Sequence, residues 1–468
     1  MTRGLKITLG IMTFIAIVGG FVAGTYITSS VEAKPADKYE NLSLFTKVLH
    51  ILENTYVEDV DVKKLIYGGI KGMLQELDPH SAFLDPKDFK EMKESTTGEF
   101  GGVGIEITKR DNFITVITPI EDTPAWNSGL KSMDKIIKIN DEATTDMDLQ
   151  TAVSKMRGAP GTKVKITVAR DNVQKPLDFT ITRKIIKIVS VKSVLLPDDF
   201  AYIRIATFNE NTVSDLKKAV SKMEKQTKNS KFKGVLLDLR NNPGGLLDQA
   251  VGVADVFIDK GTIVSVRGRD KEKKIIEYAK PDSGYLKDIP VVVLVNQASA
   301  SASEIVAGAL QDNERAVIVG QKTFGKGSVQ TLVELDDKSA IKYTIARYYT
   351  PNGRSIQATG IEPDVNILQI DPKVMEEEKM LEDDYKDKYS EANLSGHFEN
   401  ENKAEEASLL DKIYERAEKG LKKKIKKQDM NKVVDLDYDY QAAQAYNYLK
   451  VYAIGKEKRN GINNQKTN

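Results

Sequence analysis

Between about residue 185 and residue 367, short apolar runs alternate with amphipathic stretches, and that alternation limits the fold of this chain more than any other feature. Residues 201–205, 235–239, 291–295 and 316–319 read as strands, and residues 214–225, 247–257 and 301–310 read as the helices between them. Such alternation predicts an α/β core, because each sheet face and helix stripe must bury its apolar side against another element. Residues 342–349 alternate apolar and polar side chains like an exposed strand.

The period differs on either side of this core. Within residues 96–184, strand-like runs at 103–107, 113–117, 136–139 and 164–169 are interrupted by a short turn or helix at 123–129 and a helix at 148–156. That order predicts a compact, partly open β-barrel with two helices. Residues 35–95 carry apolar residues at helical spacing over 42–52 and 62–77, and Asp78-Pro79 ends the pattern. A small helical module suited to self-association is expected there, with a dimer formed through the terminal helices. Residues 371–468 are densely charged and helical in character at 373–387 and 405–427, with an apolar helical face at 441–451 and a frayed end.

At the start, Met1-Thr-Arg-Gly-Leu-Lys6 precedes an uncharged run, residues 7–27, of the length a bilayer-spanning helix needs. Basic residues in front hold that end in the cytoplasm and send the rest across. Val31-Glu-Ala33 offers a small-residue cleavage site, so residues 1–34 read as a membrane anchor or a signal segment, the anchor being favoured for its length. The bulk of the chain is expected outside the cytoplasm, periplasmic or at the cell surface. A net charge of +1 gives no general pull toward nucleic acid. With no cysteine and three scattered histidines, no metal site or cofactor is expected.

Three short segments carry chemistry. Glu99-Phe100-Gly101-Gly102-Val103-Gly104-Ile105 sets glycines before a strand, where backbone N–H groups can cradle a carboxylate and the strand edge can pair with a peptide; a glycine hairpin turn is the plainer alternative. Asn296-Gln-Ala-Ser-Ala-Ser-Ala-Ser-Glu304 puts three serines at the mouth of an apolar helix, and Ser301 with Glu304 also fits a capping box. A serine there suits nucleophilic catalysis, with the Ala302 N–H free to bind an oxyanion. No histidine lies between residues 81 and 396, which leaves lysine as the base. Gly320-Gln-Lys-Thr-Phe-Gly-Lys326 has phosphate-loop spacing, but Gly327 stands where Ser or Thr is required and a strand pattern follows, so nucleotide binding is rejected. Burial can neutralise Lys326, and Gln330, four residues on, can orient it. Asp238-Leu-Arg-Asn-Asn-Pro-Gly-Gly245 after an apolar strand can present N–H groups to a ligand or form a simple tight turn.

Residues 96–184 resemble a PDZ domain of the circularly permuted bacterial type, through Ser128-Gly129-Leu130, Asp134-Lys135-Ile136-Ile137-Lys138-Ile139-Asn140 and Arg157-Gly-Ala-Pro-Gly-Thr162. With Leu77-Asp-Pro-His-Ser81, residues 323–330 and Gly353-Arg-Ser-Ile-Gln-Ala-Thr-Gly-Ile-Glu-Pro-Asp364, residues 40–370 resemble the carboxy-terminal processing peptidases. The resemblance implies a multidomain α/β chain with an N-terminal helical module, a permuted PDZ-like β-barrel, an α/β protease core at 185–370 and a C-terminal helical region. It implies an endopeptidase that captures protein C-terminal tails at Phe100, Gly101, Gly102, Val103 and Gly104. Ser301 would be the nucleophile, Lys326 the base and Gln330 its partner, with Ala302 and Gly244 or Gly245 donating to the oxyanion. Arg157, by its place at the groove helix exit, is a candidate link between PDZ position and the active site. A non-enzymatic PDZ scaffold that only binds peptide tails is the alternative.

Overall fold

The computed structural model describes residues 35–110, 112–120, 122–171, 173–227, 231–270, 272–281, 285–369, 390–394, 396–398 and 432–466. The expected anchor at 7–27 and the charged stretches at 373–387 and 405–427 lie outside the described residues. Among the described residues no helix is long and apolar enough to cross a membrane. The chain divides into two units, one ending at Gly72 and one beginning at Met73.

In the first unit, helix α1 (Pro35–Thr55) exposes Leu42, Leu44, Phe45, Val48, Ile51 and Leu52. Helix α2 (Val62–Gln75) starts in this unit, and a side chain at Gly69 would lie 2.9 Å from the Phe45 ring, so glycine there permits the contact.

The second unit begins differently from the expected helical module. Residues 82–84 form strand β1 (Ala82–Leu84), which pairs with residues 340–342 far along the chain. Three residues are too short a run for periodicity to reveal. Helix α3 (Pro86–Thr97) has textual signals at both ends: Asp85 accepts from the N–H groups of Lys87 and Asp88, Pro86 fills the first turn, and Gly98 ends it at φ 71°.

Next come β2 (Glu99–Gly102), β3 (Ile105–Arg110), β4 (Phe113–Pro119), α4 (Pro124–Ser128), β5 (Lys135–Ile139), β6 (Glu142–Ala143), α5 (Leu149–Met156), β7 (Lys163–Ala169), β8 (Leu177–Thr182) and β9 (Lys184–Lys187). Sheet order is β3-β4-β5-β7-β8 with β6 on β5, which leaves β3 at an edge; β2 pairs separately with β9. Inward residues Ile114 and Val116, and Val164, Ile166 and Val168, alternate along their strands; with Ile136 and Ile139, three apart across a register shift in β5, they bury against Ala152 and Met156 of α5.

The core continues through β10 (Val191–Leu196), β11 (Phe200–Ile205), α6 (Thr212–Glu224), β12 (Gly234–Asp238), α7 (Leu247–Phe257), β13 (Thr262–Gly268), β14 (Lys274–Tyr278), β15 (Val291–Val295), α8 (Ala302–Asp312), β16 (Val317–Gly320), β17 (Ser328–Glu334), β18 (Ala340–Tyr349), β19 (Val365–Asn366) and finally α9 (Tyr440–Lys466). A six-stranded sheet runs β10-β11-β12-β15-β16-β19, parallel except for β10. Strand periodicity splits its side chains between two layers. Ala201, Ile203, Leu237, Val291 and Val293 pack with Leu216, Val253 and Val306 of α6, α7 and α8; Phe200, Tyr202, Leu236, Val292 and Leu294 pack with Ala442, Ala445, Tyr446 and Leu449 of α9. Burial on both faces explains why β12 and β15 are continuous apolar runs. In a second sheet β18 pairs with β1, β13 and β17.

Candidate active site

Ser301 caps α8, just beyond the carboxyl end of β15, at φ 54° and ψ −111°. A non-glycine residue there stores on the order of 1–3 kcal/mol of strain, which surrounding bonds must offset. They are present: Ala300 N–H donates to Asn242 O at 3.0 Å, and the amides of Asn241 and Asn296 tie the 238–245 turn to the serine loop. That turn is itself braced by Arg240, held between the buried Asp238 carboxylate and Asp439 beside α9.

The three serines have different fates. Ser299 Oγ donates to Leu239 O at 2.8 Å and Ser303 Oγ to Asn242 O at 3.0 Å, both fully buried. Ser301 lines a cavity of about 800 Å³, and its hydroxyl donates to no acceptor among the described residues.

Lys326 lines the same cavity, as do Gln330, Gly245, Leu246, Val329 and Tyr348. No carboxylate pairs with its ammonium among the described residues. Burial pushes its pKa below the ordinary lysine value, helped by nearby Lys342 and opposed by Glu391, Glu304 and Asp78. The segment before it is no phosphate loop, since β17 follows where a helix would be needed.

Glu304 joins the two segments. One carboxylate oxygen accepts from Ser301 N–H at 2.8 Å and Lys326 N–H at 2.9 Å; the other accepts from Gly325 N–H at 2.7 Å and Thr323 Oγ1 at 2.6 Å. Complete burial raises its pKa to about 7 against the pull of these four donors. Its capping position was legible from Ser301 plus three; its reach to the lysine loop, 21 and 22 residues on, has no local pattern.

Gln330 lines the cavity together with Lys326 and is anchored there through its side-chain nitrogen. Its Nε2 donates to the hydroxyls of Ser328 at 2.9 Å and Thr344 at 3.2 Å, so the amide nitrogen does not hold Lys326. A register shift lies between Val329 and Gln330 in the pairing of β17 with β18. Its carbonyl oxygen has no partner among the described residues.

Of the expected oxyanion donors, Ala302 N–H and Gly245 N–H meet no acceptor among the described residues, whereas Gly244 N–H is engaged by Asn242 Oδ1 at 2.9 Å. Gly244 matters by its size instead. At φ 103°, a side chain on it would sit 2.8 Å from Ser301 Cβ and 3.0 Å from Ala302 N.

The tail-binding residues also separate. Phe100, Gly101 and Gly102 belong to β2 and are paired with β9, so they do not form the open loop expected; Gly101 O accepts from Gly158 N–H. Val103 and Gly104 leave their N–H groups without acceptors among the described residues, directly before edge strand β3. Arg157 caps the exit of α5, stacks over the Phe100 ring at 4.4 Å and donates to Glu94 of α3 at 3.2 Å. Its Nε is buried without a partner among the described residues. Helix α3 in turn lines the cavity through Met92, Ser95 and Thr96 and accepts from Glu210 N–H and Asn211 Nδ2 at its end.

Residues 199–367 match the model of peptidase family S41, residues 101–181 that of a PDZ domain, and residues 22–88 that of the activating protease CtpB N-terminal domain. Together these define a mixed α/β, multidomain, serine-type peptidase carrying a PDZ domain. The chain is 42% identical over 396 residues to the carboxy-terminal-processing protease of Bartonella bacilliformis, covering 83% of this chain and 89% of that one. It is 36% identical over 373 residues to the carboxy-terminal processing protease CtpA of Bacillus subtilis, 78% of each. The solved photosystem II D1 C-terminal processing protease is 32% identical, with 71% of this chain and 93% of that one covered at a TM-score of 0.41. The chain belongs to the carboxy-terminal processing protease family. The non-enzymatic scaffold reading is thereby set aside.

Proposed function

We propose that the chain is an endopeptidase that cleaves extracytoplasmic proteins with a Ser301–Lys326 dyad, after its PDZ domain has captured their C-terminal tails. The observation that carries this reading is that one serine of three opens into the cavity, which a half-buried lysine also lines with no carboxylate paired to it among the described residues.

Neutral Lys326 takes the Ser301 hydroxyl proton as Oγ bonds to the scissile carbonyl carbon. The oxyanion formed accepts from Ala302 and Gly245 N–H groups at the positive end of α8. Lys326 then returns the proton to the departing amine as the C–N bond breaks, leaving an acyl-enzyme. Water, deprotonated by Lys326, attacks the ester, and Ser301 regains its proton. Gln330 contributes through its carbonyl oxygen, accepting from the lysine amine while its nitrogen is fixed by two hydroxyls.

The PDZ sheet is read as the permuted type, with the glycine loop leading into the edge strand. A tail carboxylate would sit on the Val103 and Gly104 N–H groups, and the tail would extend β3 beside α5. Arg157 would report groove occupancy to α3 through Glu94. Residues 1–34 would anchor the enzyme or direct its export, with the catalytic portion periplasmic or cell-surface. The exposed apolar residues of α1, together with the C-terminal helical region, support self-association as a dimer.

The decisive experiment compares wild type, Ser301→Ala and Lys326→Ala on a protein with an apolar C-terminal tail. Loss of cleavage in both, with unaltered folding, is expected. A folded Lys326→Ala protein with full activity at neutral pH would sink the dyad.

A further inference from the structure

The lysine loop is gripped from a second side by a part of the chain outside the matched peptidase segment, 199–367. Glu391 begins a single helical turn (Glu391–Asn393) and is fully buried. Its N–H donates to Phe324 O at 3.1 Å. Its Oε1 accepts from Gln357 Nε2 at 2.9 Å, and Gln357 Oε1 accepts from Gly327 N–H at 3.0 Å. Glu391 therefore reaches both sides of Lys326, once directly and once through a single side chain.

His80 Nε2 donates to the same carboxylate, 2.7 and 2.8 Å from its two oxygens. His80 is itself fixed, because its N–H donates to Asp78 Oδ1 at 2.8 Å while Asp78 also accepts from Ser81 N–H and Oγ. Thr344 N–H donates to Ser81 Oγ, and the Thr344 hydroxyl holds Gln330. The motif around His80 and the Gly353–Asp364 segment thus meet at the lysine loop. Every N–H from Phe324 to Gly327 then has an acceptor: Ser299 O, Glu304 twice, and Gln357.

We infer that Glu391 is a positioning residue for the general base, closing the loop around Lys326 from outside the peptidase segment with His80 and Gln357 as its partners. This rests on Lys326 being the base. The charged groups acting on the Lys326 amine are Lys342, Glu391, Glu304 and Asp78. A carboxylate there favours the protonated amine, so removing the Glu391 charge lowers the pH at which the base becomes active. Removing the clamp instead misplaces the amine and lowers turnover. The two effects separate by substitution: Gln keeps an acceptor for Gln357 without the charge, and Ala keeps neither.

The test uses the full chain and a tailed protein substrate, with kcat and KM followed over about pH 5 to about pH 10. Glu391→Ala is expected to lose roughly tenfold to a hundredfold in kcat with KM within about twofold. Glu391→Gln is expected to recover most of that loss and to carry its acid limb at lower pH than wild type. Should Glu391→Ala not fold, the limb of Glu391→Gln decides. Wild-type kcat in folded Glu391→Ala, or an unmoved limb in Glu391→Gln, would overturn the inference. An inactive Lys326→Ala beside a fully active Glu391→Ala rejects this inference alone, whereas an active Lys326→Ala rejects the dyad beneath it.

Discussion

The lysine loop and the loop at Val103–Gly104 are both flanked by glycines, yet their hydrogen bonds are opposites. Around Lys326 each N–H from Phe324 to Gly327 is satisfied from within the chain, by Ser299, Glu304 and Gln357. At Val103 and Gly104 the N–H groups meet no acceptor among the described residues. A site that performs chemistry gains from being held before substrate arrives, since fixed dipoles need no reorganisation during reaction. A site that captures a tail must leave donors unsatisfied so that a carboxylate can complete them. Glycine permits close packing at both loops: a side chain at Gly327 would lie 2.4 Å from Gln357 N, and one at Gly104 would lie 2.4 Å from Thr123 Cβ.

The comparison can be broken most severely at the chemistry. Ser301→Ala and Lys326→Ala should each reduce cleavage by at least about three orders of magnitude, as loss of one member of a catalytic unit does. Circular dichroism and thermal melting would verify that folding is intact. Gly244→Ala comes next. Its Cβ would press on Ser301 and Ala302 at a positive φ, so a loss of roughly a hundredfold in kcat is expected from misplacement alone, read by steady-state kinetics.

A smaller effect tests the electrostatics. In the proposed dyad the neutral Lys326 amine is the working form, and burial holds its pKa below the ordinary 10.5. Activity should therefore fall about tenfold per pH unit below that depressed pKa, giving an acid limb below 10.5. Lys342 helps to depress it, so Lys342→Ala should move the limb to higher pH, opposite in direction to Glu391→Gln. An unmoved limb would show that Lys326 does not set it.

The proposed capture loop should be the most forgiving. Amidating the C-terminus of a tailed peptide removes the carboxylate that Val103 and Gly104 are proposed to hold. KM should rise roughly tenfold with kcat little changed. Equal KM for acid and amide would move tail capture elsewhere. Smallest of all, Glu94→Gln weakens a partly exposed pair worth up to about 1 kcal/mol, so a change of at most several-fold in tail-stimulated cleavage is expected.

Much of the scaffold was legible because it repeats locally. The helix at 247–257 and the strand at 291–295 fall where their apolar spacing put them, as do the paired strands and the α5 helix of the PDZ region. β1, β2 and β9 were not foreseen, since they are short and their partners lie far away in sequence. Periodicity reports the burial of an element and says nothing of what covers it.

The candidate site divides along the same line. The sequence by itself determined that a serine at a helix mouth and a glycine-flanked lysine were present, that no histidine lay near, and that a magnesium-binding hydroxyl was missing after Lys326. It left three serines equivalent, because hydroxyl chemistry is identical in all of them. The family resemblance singled out Ser301, and the tertiary structure supplies the physical distinction, by giving Ser299 and Ser303 distant carbonyls as partners and leaving Ser301 open to the cavity. The tertiary structure also engaged Gly244 N–H with Asn242, fixed the Gln330 nitrogen on two hydroxyls, and brought Glu304 and Glu391 to the lysine loop. The physical reason is that a hydrogen-bonding group is available only if no other group satisfies it, and most of the groups that do so here come from far along the chain.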